Sequence, residues 1–336
     1  MKKMYAGLDV SDEMTAVCVI DQNGKVLLEA SAKTTPTDIN DVLKRYKRSL
    51  KSVGLESSDT AIWLNRELKR ARYPMVFLSA VHAHGALRAR INKTDTNDAR
   101  GLAELVARGI YTVAHVKSDA SLRIRTMLGL RASILAKARE LDQAMKMSQR
   151  LWGGKQGSSI RTTRKTSGTS EDIALQTVRQ STARLIDAMY AEARDLRNLI
   201  VELARANDVC RRLMTIPGVG PITALAFVAA VDDPSRFKSS RTVAAYFGLT
   251  PRVYQSGLLL RSGRISRRGD ASIRTHLYVA AQVMVSLSHS QCRLRLWAKK
   301  IAEKKGNRFA YVACSRKLAV LMHHLWISGE EFDATR

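Results

Sequence analysis

Cysteine is scarce in this chain and falls in no ligand pattern: Cys18, Cys210, Cys292 and Cys314 are widely separated, with no CxxC pair. That spacing argues against zinc and for reduced, structurally inert thiols. Proline (6 residues) and aromatics (6%) are also few, while hydrophobic residues reach 45%, which excludes a low-complexity chain and favours a folded, helix-rich one. No apolar run approaches the ~20 residues that a membrane-spanning helix needs. The opening MKKMYAGLDV enters a strand pattern before a signal-peptide core could form, so the expectation is a cytoplasmic protein with no membrane partner. Acids are in deficit as well, with 30 Asp and Glu against 56 Lys and Arg. The net charge of +26 and pI of about 10.4 repel the compact state from itself unless a polyanion is bound. Nucleic acid is the expected partner.

What is present divides the 336 residues into three regions, in keeping with roughly 100–200 residues per domain. Residues 4–10 and 14–20 are short apolar, β-branched runs, and Asn23-Gly24 is a strong hairpin signal before a third run at Lys25–Ala30. The pattern predicts three antiparallel strands. A helix over 36–50, a strand at Lys51–Ser57, a helix over 59–71 and a strand at Pro74–Ala80 follow, an α/β alternation. Helical periodicity next covers Asn92–Arg108, then Ser121–Gln149 and 171–206 as an arm of two long helices. Between the arm helices, the Gly-, Ser-, Thr- and Arg-rich stretch 152–169 reads as a basic loop carrying Lys155, Arg161, Arg164 and Lys165. The expected division is 1–118, a mixed-sheet α/β domain; 119–206, a helical coiled-coil arm; and 207–336, a helical C-terminal domain. In the last of these, residues 250–320 hold 15 Lys or Arg against two acids, Asp270 and Glu303.

Four acids recur where chemistry would need them. Asp9 closes the first strand, and Glu56 ends the fourth, which would bring it to the same end of the sheet. Asp95 and Asp98, three apart at a helix start, share a face; N-terminal capping and dipole complementarity are an equally open reading of that pair. Converging carboxylates repel unless a cation compensates them, and all-oxygen ligands suit Mg²⁺ or Mn²⁺. Such a site does phosphoryl transfer on nucleic acid. Arg252, Arg261, Arg264, Arg267 and Arg268 would neutralise phosphates, or stand as a solvated basic loop. Pro217-Gly218-Val219-Gly220-Pro221 is a helix-hairpin-helix-like turn, in which Gly218 and Gly220 would let a phosphate approach the backbone at a helix N-terminus. The neighbours His82 and His84, like His323 and His324, have no second cluster at ligand spacing and read as structural.

The order Asp9, Glu56, Asp95, Asp98 on a strand meander followed by α/β units resembles the RuvC-like branch of the ribonuclease H superfamily. The surrounding segments GLDVS, LESSDTAIWL, HAHGALRARINKTDTNDARGLAEL, IPGVGPITAL, YFGLTPRVYQSG and GRISRRGD are similar to the insertion-sequence-110 transposase family across nearly the whole chain. The resemblance implies a RuvC-like domain, a coiled-coil arm and a C-terminal transposase domain with a nucleophilic serine. It places the acids on Asp9, Glu56, Asp95 and Asp98 and the serine on Ser256, with Ser262 and Ser266 as neighbouring candidates. It further implies an RNA-guided recombinase acting on donor and target DNA with a structured noncoding bridge RNA. Mg²⁺ would be the cofactor, the protein a homotetramer built as two dimers, and its place the bacterial nucleoid during activity. Two alternatives stay open on the residues alone: a junction-resolving nuclease that uses water as nucleophile, and a non-catalytic nucleic-acid-binding scaffold.

Overall fold

The computed structural model describes residues 3–87, 94–151, 173–257 and 259–334. The basic-loop residues Lys155, Arg161, Arg164 and Lys165 lie outside them. Two compact units are present, Met1–Val116 and Lys117–Arg336.

The first unit is built on a five-stranded sheet of order β3-β2-β1-β4-β5. Strands β1 (Met4–Val10), β2 (Met14–Asp21) and β3 (Val26–Lys33) form the expected antiparallel meander. Its second turn is fixed by Asp21, whose Oδ1 accepts from the amides of Asn23 and Lys25 at 2.9 Å, and by Gly24 at φ 85°. Strands β4 (Leu50–Glu56) and β5 (Met75–Leu78) run parallel to β1, so each needs a crossover helix: α1 (Pro36–Leu43) and α2 (Asp59–Arg70). Alternation along the strands sorts the side chains. Leu8, Val17, Val53, Leu55 and Phe77 face α1 and α2, through Ile39, Leu43, Leu64 and Leu68. Ala16, Cys18, Ile20 and Leu78 face the opposite way, toward α3 (Ala80–Leu87) and α4 (Asp95–Arg108). A mixed sheet of this order with helices on both faces is the ribonuclease-H-like architecture.

Two boundaries differ from expectation. The helix predicted to reach residue 50 stops at Leu43, because Leu50, 7% exposed, pairs with Met4 to start β4 and the turns of 44–49 carry the chain back to the sheet. The strand predicted to reach Ala80 ends at Leu78, because the Ala80 amide donates to Ser57 Oγ at 3.1 Å and opens α3. The chain was not expected to be helical there.

The second unit begins with the long helices α5 (Asp119–Arg150) and α6 (Ile173–Ala206). They pack on each other through small and branched side chains at heptad spacing on α6, Ile186, Ala193 and Ile200. Helices α7 (Asp208–Leu213), α8 (Pro221–Val231) and α9 (Ser240–Tyr246) come next. The hairpin β6 (Pro251–Ser256) and β7 (Leu259–Ile265) follows, then α10 (Ala271–Gln282), a π turn at Val283–Leu287, α11 (Arg293–Lys305) and α12 (Asn307–Ser328). Helix α8, apolar at almost every position, is the centre of the core. Its Phe227 meets Phe247 edge-on at 5.7 Å between ring centroids, and Leu277, Met284, Leu318 and Met322 close around them. The arm's base joins the same core through Leu128, Ile200 and Ala204. The four cysteines are buried and form no disulfide, and burial pushes Cys210 and Cys314 up to about 12, which keeps those two protonated and unreactive. His323 is buried too, between Ser240 Oγ at 3.0 Å and the Pro234 carbonyl at 3.1 Å, a structural role.

Candidate active site and nucleic-acid interface

In the first unit the site is built by two glycines. Register pairs Gly7 of β1 with Gly54 of β4, and α4 lies directly on them. A Cβ on Gly7 would stand 2.0 Å from the Ala99 carbonyl oxygen and 2.4 Å from the Ala103 amide; one on Gly54 would stand 2.6 Å from Val106 Cγ1. Only glycine on the strands, facing alanines on the helix, lets the two backbones approach this closely. Side chains two residues on point to the same face, so Asp9 and Glu56 follow Gly7 and Gly54 on the α4 side, at neighbouring positions of two parallel strands. Both are half-buried.

Helix α4 supplies the other two acids. Thr94 caps it, its hydroxyl accepting from the Asn97 amide at 3.2 Å, and Asp95 and Asp98 sit in the first turn. Each precedes by one helical step a residue buried against the sheet, Asp95 before Ala99 and Asp98 before Leu102. The two acids therefore lie on the sheet-facing side of the helix, one turn ahead of its contact with Gly7. Asp95 is exposed and Asp98 half-buried. Of the four carboxylates predicted from sequence, two thus end adjacent strands of the sheet and two lie in the first turn of the helix that covers that face. Their hard oxygen donors suit a divalent cation such as Mg²⁺, although among the described residues no group of three or more acids, histidines or cysteines is placed to hold one.

In the second unit the sequence pointed to a loop around Ser256, and the structure has a β-hairpin. Ser256 is the last residue of β6, paired with Leu259, and the chain reverses at Gly257 with φ 54°. Every residue of β6 is exposed. Arg252, Arg261 and Arg264 lie along the two strands, with Tyr254 opposite Arg261. Of the other two serines, Ser262 is exposed opposite Val253, and Ser266 lies at the hairpin's base, its amide on the Thr250 carbonyl and its own carbonyl accepting from Arg252 Nη2 at 3.2 Å.

The base of this hairpin is held by groups that carry no signal in the sequence. Arg274 Nη1 donates to the carbonyls of Phe247, Arg268 and Gly269 at 3.1, 3.2 and 2.9 Å. Gly248 and Gly269, both at positive φ, let the segment carrying Arg267 and Arg268 lie against the end of α9. Arg125 pairs with Asp270, which also caps α10 by accepting from the Ser272 amide at 2.8 Å. Burial alone would raise the Asp270 pKa, but the hydrogen bond and charge of Arg125 and the amides of Ser272 and Ile273 hold it below its ordinary value. Arg267 and Arg268 remain exposed. The two glycines of the helix-hairpin-helix-like turn part company: a Cβ on Gly218 would meet the Ala280 carbonyl at 2.5 Å, so it serves internal packing, whereas Gly220 is exposed at the N-cap of α8 with no side-chain cap.

Comparison with known proteins identifies the family. A model of DEDD-type IS110 transposases matches residues 6–147, and one described as Transposase IS116/IS110/IS902 family matches residues 210–296. The transposase for insertion sequence element IS1111A of Coxiella burnetii is 25% identical over 97% of this chain and 90% of its own. A probable family 20 transposase of Pseudomonas aeruginosa is 24% identical over 94% of each. The pilin gene-inverting protein of Moraxella bovis is 31% identical over 36% of this chain and 38% of its own. Among solved structures, that of Thermus thermophilus RuvC matches 33% of this chain and 99% of its own at 13% identity, with a TM-score of 0.26. The first match covers most of the first unit and runs on into α5, the second lies within the second unit, and together they span most of the chain, which belongs to the IS110/IS116 family of insertion-sequence transposases.

Proposed function

We propose that this transposase is an RNA-guided DNA recombinase that cuts and exchanges strands through a covalent phosphoserine. The observation that supports the reading is the Gly7–Gly54 pairing beneath α4, which sets Asp9 and Glu56 two residues further along adjacent parallel strands, on the face that α4 covers. In this reading those two acids, with Asp95 and Asp98 of α4, hold Mg²⁺, or Mn²⁺, which when bound polarises the scissile phosphate and lowers the pKa of the attacking hydroxyl. Ser256 attacks from an exposed hairpin tip, its oxygen forming a new ester bond to phosphorus while the bridging oxygen of the DNA strand leaves with a proton. One phosphodiester bond replaces another, so exchange needs no outside energy. Arg252, Arg261, Arg264, Arg267 and Arg268 neutralise the phosphates around the cut, with Gly220, and with Lys155, Arg161, Arg164 and Lys165 of the basic loop, as further backbone contacts. Gly218 keeps the α8 turn in place.

The partners in this reading are donor and target DNA and a structured noncoding bridge RNA that selects them; a homotetramer, as two dimers, supplies one serine for each of four strand ends. A relative named for inverting a pilin gene supports recombination over simple cleavage. The test is to incubate the protein with the noncoding RNA flanking its element, Mg²⁺ and labelled donor and target DNA, and to resolve products on a denaturing gel. Wild type is expected to give recombinant product and a protein-linked strand, each dependent on RNA and lost with a metal chelator. Ser256→Ala and Asp98→Ala are both expected to lower product by more than about 10³-fold, the scale on which a reacting group matters. Cutting by Ser256→Ala but not by Asp98→Ala would make water the nucleophile and the protein a resolvase-like nuclease. DNA binding with no cutting by wild type would leave only a scaffold.

A further inference from the structure

The cations of the second unit are not all accounted for by the hairpin. Arg274 and the buried Arg295 are taken up by internal carbonyls, Arg295 donating to Ser290 O at 3.1 Å. A further group stands on α11 and the first half of α12, where acids are nearly absent. Helical spacing puts Arg293, Lys300 and Lys304 on one exposed stripe of α11, opposite the buried Arg295, Ala298 and the half-buried Ala302. Lys317 of α12 adds to its edge, with Nζ 4.0 Å from the ring centre of Trp297. Glu303 is the single acid of α11, and α12 has none. Among the described residues none of these four cations makes an ion pair. Lys300 and Lys304, like charges four apart on a helix, repel each other, a cost that a bound polyanion relieves.

We propose that this stripe is a second DNA-binding surface, distinct from the arginine hairpin, that takes the phosphate backbone of duplex DNA outside the cut site. Eleven residues of helix place Arg293 about 16 Å from Lys304 at 1.5 Å per residue, a rigid row longer than the ~12 Å major groove is wide. It therefore reaches phosphates on both sides of a groove without reading bases. The cation–π contact holds Lys317 at the edge of the row, so one of its four charges is ordered before binding. Duplex DNA is the occupant because it is the substrate of a transposase; the inference rests on that substrate and not on the serine chemistry.

The test measures anisotropy of a labelled random-sequence DNA duplex of about 20 base pairs, and of an RNA duplex of equal length, against salt. Full-length wild type is compared with the triple variant Lys300→Gln, Lys304→Gln, Lys317→Gln. A Lys300→Arg, Lys304→Arg variant keeps the charge. A third variant removes three exposed cations, one just after α1 and one each on α2 and α5 (Lys44→Gln, Lys69→Gln, Lys137→Gln), which controls for net charge. The triple variant is expected to lower DNA affinity at least tenfold near 0.1 M salt. It should also flatten log K against log salt by about 2 to 3, at roughly 0.9 for each phosphate no longer neutralised, while the arginine variant stays at wild type. Unchanged affinity and slope in the triple variant overturn the stripe alone, as does an equal loss in the charge control or a loss confined to RNA. Absence of any wild-type DNA binding overturns both the stripe and the recombinase reading.

Discussion

Two of the antiparallel strand pairs, β1–β2 and β6–β7, are of opposite character. In the first unit β1 and β2 are covered on both faces, Leu8 and Val17 against α1 and α2, Ala16 and Cys18 against α4. In the second, β6 is exposed along its whole length and only Ile265 at the end of β7 is seen to pack on the core, while Val253, Tyr254 and Leu259 are 61%, 60% and 65% exposed. A lone two-stranded hairpin is marginal in water, so this one keeps its form through its base, where Arg274, Arg252 and two glycines bind it to α9 and α10. One pair is complete within a single chain and the other is not. The sheet carries its acids on a rigid platform, whereas the hairpin presents a hydroxyl, arginines and apolar side chains that only a partner can cover.

The contrast should be greatest at a strand glycine. Gly7→Ala drives a methyl into the backbone of α4 at 2.0 Å, where no flexible side chain can give way. We expect a loss of about 3 kcal/mol or more, at the top of the range for overpacking, read as a fall in the urea midpoint at constant slope. Gly263→Ala in β7 meets nothing nearer than 3.5 Å at an ordinary φ, and should change stability by less than about 0.5 kcal/mol. Equal losses at the two positions would mean that the hairpin is as tightly packed as the sheet.

This contrast also decides what could be read from the sequence. The meander, the crossover strands and α4 were legible because a two-sided sheet writes its burial into apolar runs, and because Thr94 and Asn23-Gly24 are local signals for a cap and a turn. The close approach at Gly7 and Gly54 was not, since it depends on a register between strands some 47 positions apart. Asp9 and Glu56 could be singled out as strand-end acids without that register, but their being neighbours could not. The hairpin was missed for the opposite reason: PRVYQS has no buried face, so no periodicity marks it, and its supports come from Arg125 and Arg274, far off or on the next helix. Ser256 is singled out by the family resemblance alone.

A smaller effect concerns how the hairpin is held. Asp270 follows the hairpin's return segment and joins it to α10 and, through Arg125, to α5. Its folded pKa is depressed, so its contribution is present above the unfolded carboxylate value near 3.9 and is lost as pH falls through the lower folded value. Asp270→Asn keeps the shape and removes the charge. We expect about 1–2 kcal/mol of destabilisation at pH 7, the scale of a charged hydrogen bond with a cap. That difference from wild type should shrink as the pH is brought down through the acid range. A difference constant from pH 7 to pH 3 would show that packing, not the Arg125 pair, carries the residue's contribution.

The smallest change in stability should come from the hairpin's own apolar face, where the fold has little to lose. Tyr254→Ser removes a ring from a strand, which in β1 or β2 would cost several kcal/mol because buried surface returns to water. On β6 the ring is already mostly in water, so the melting temperature should move by no more than about 0.5 kcal/mol warrants. Exposed aromatic and apolar side chains beside arginines are surplus to a monomer and valuable in a complex. The same variant should therefore assemble less well with its nucleic-acid partner, by about tenfold for a stacking interaction of about 1–3 kcal/mol, as read by titration of protein into the labelled complex. A variant that melts early but binds normally would place the ring in the fold after all, and would make the hairpin part of the core rather than a surface held ready for a partner.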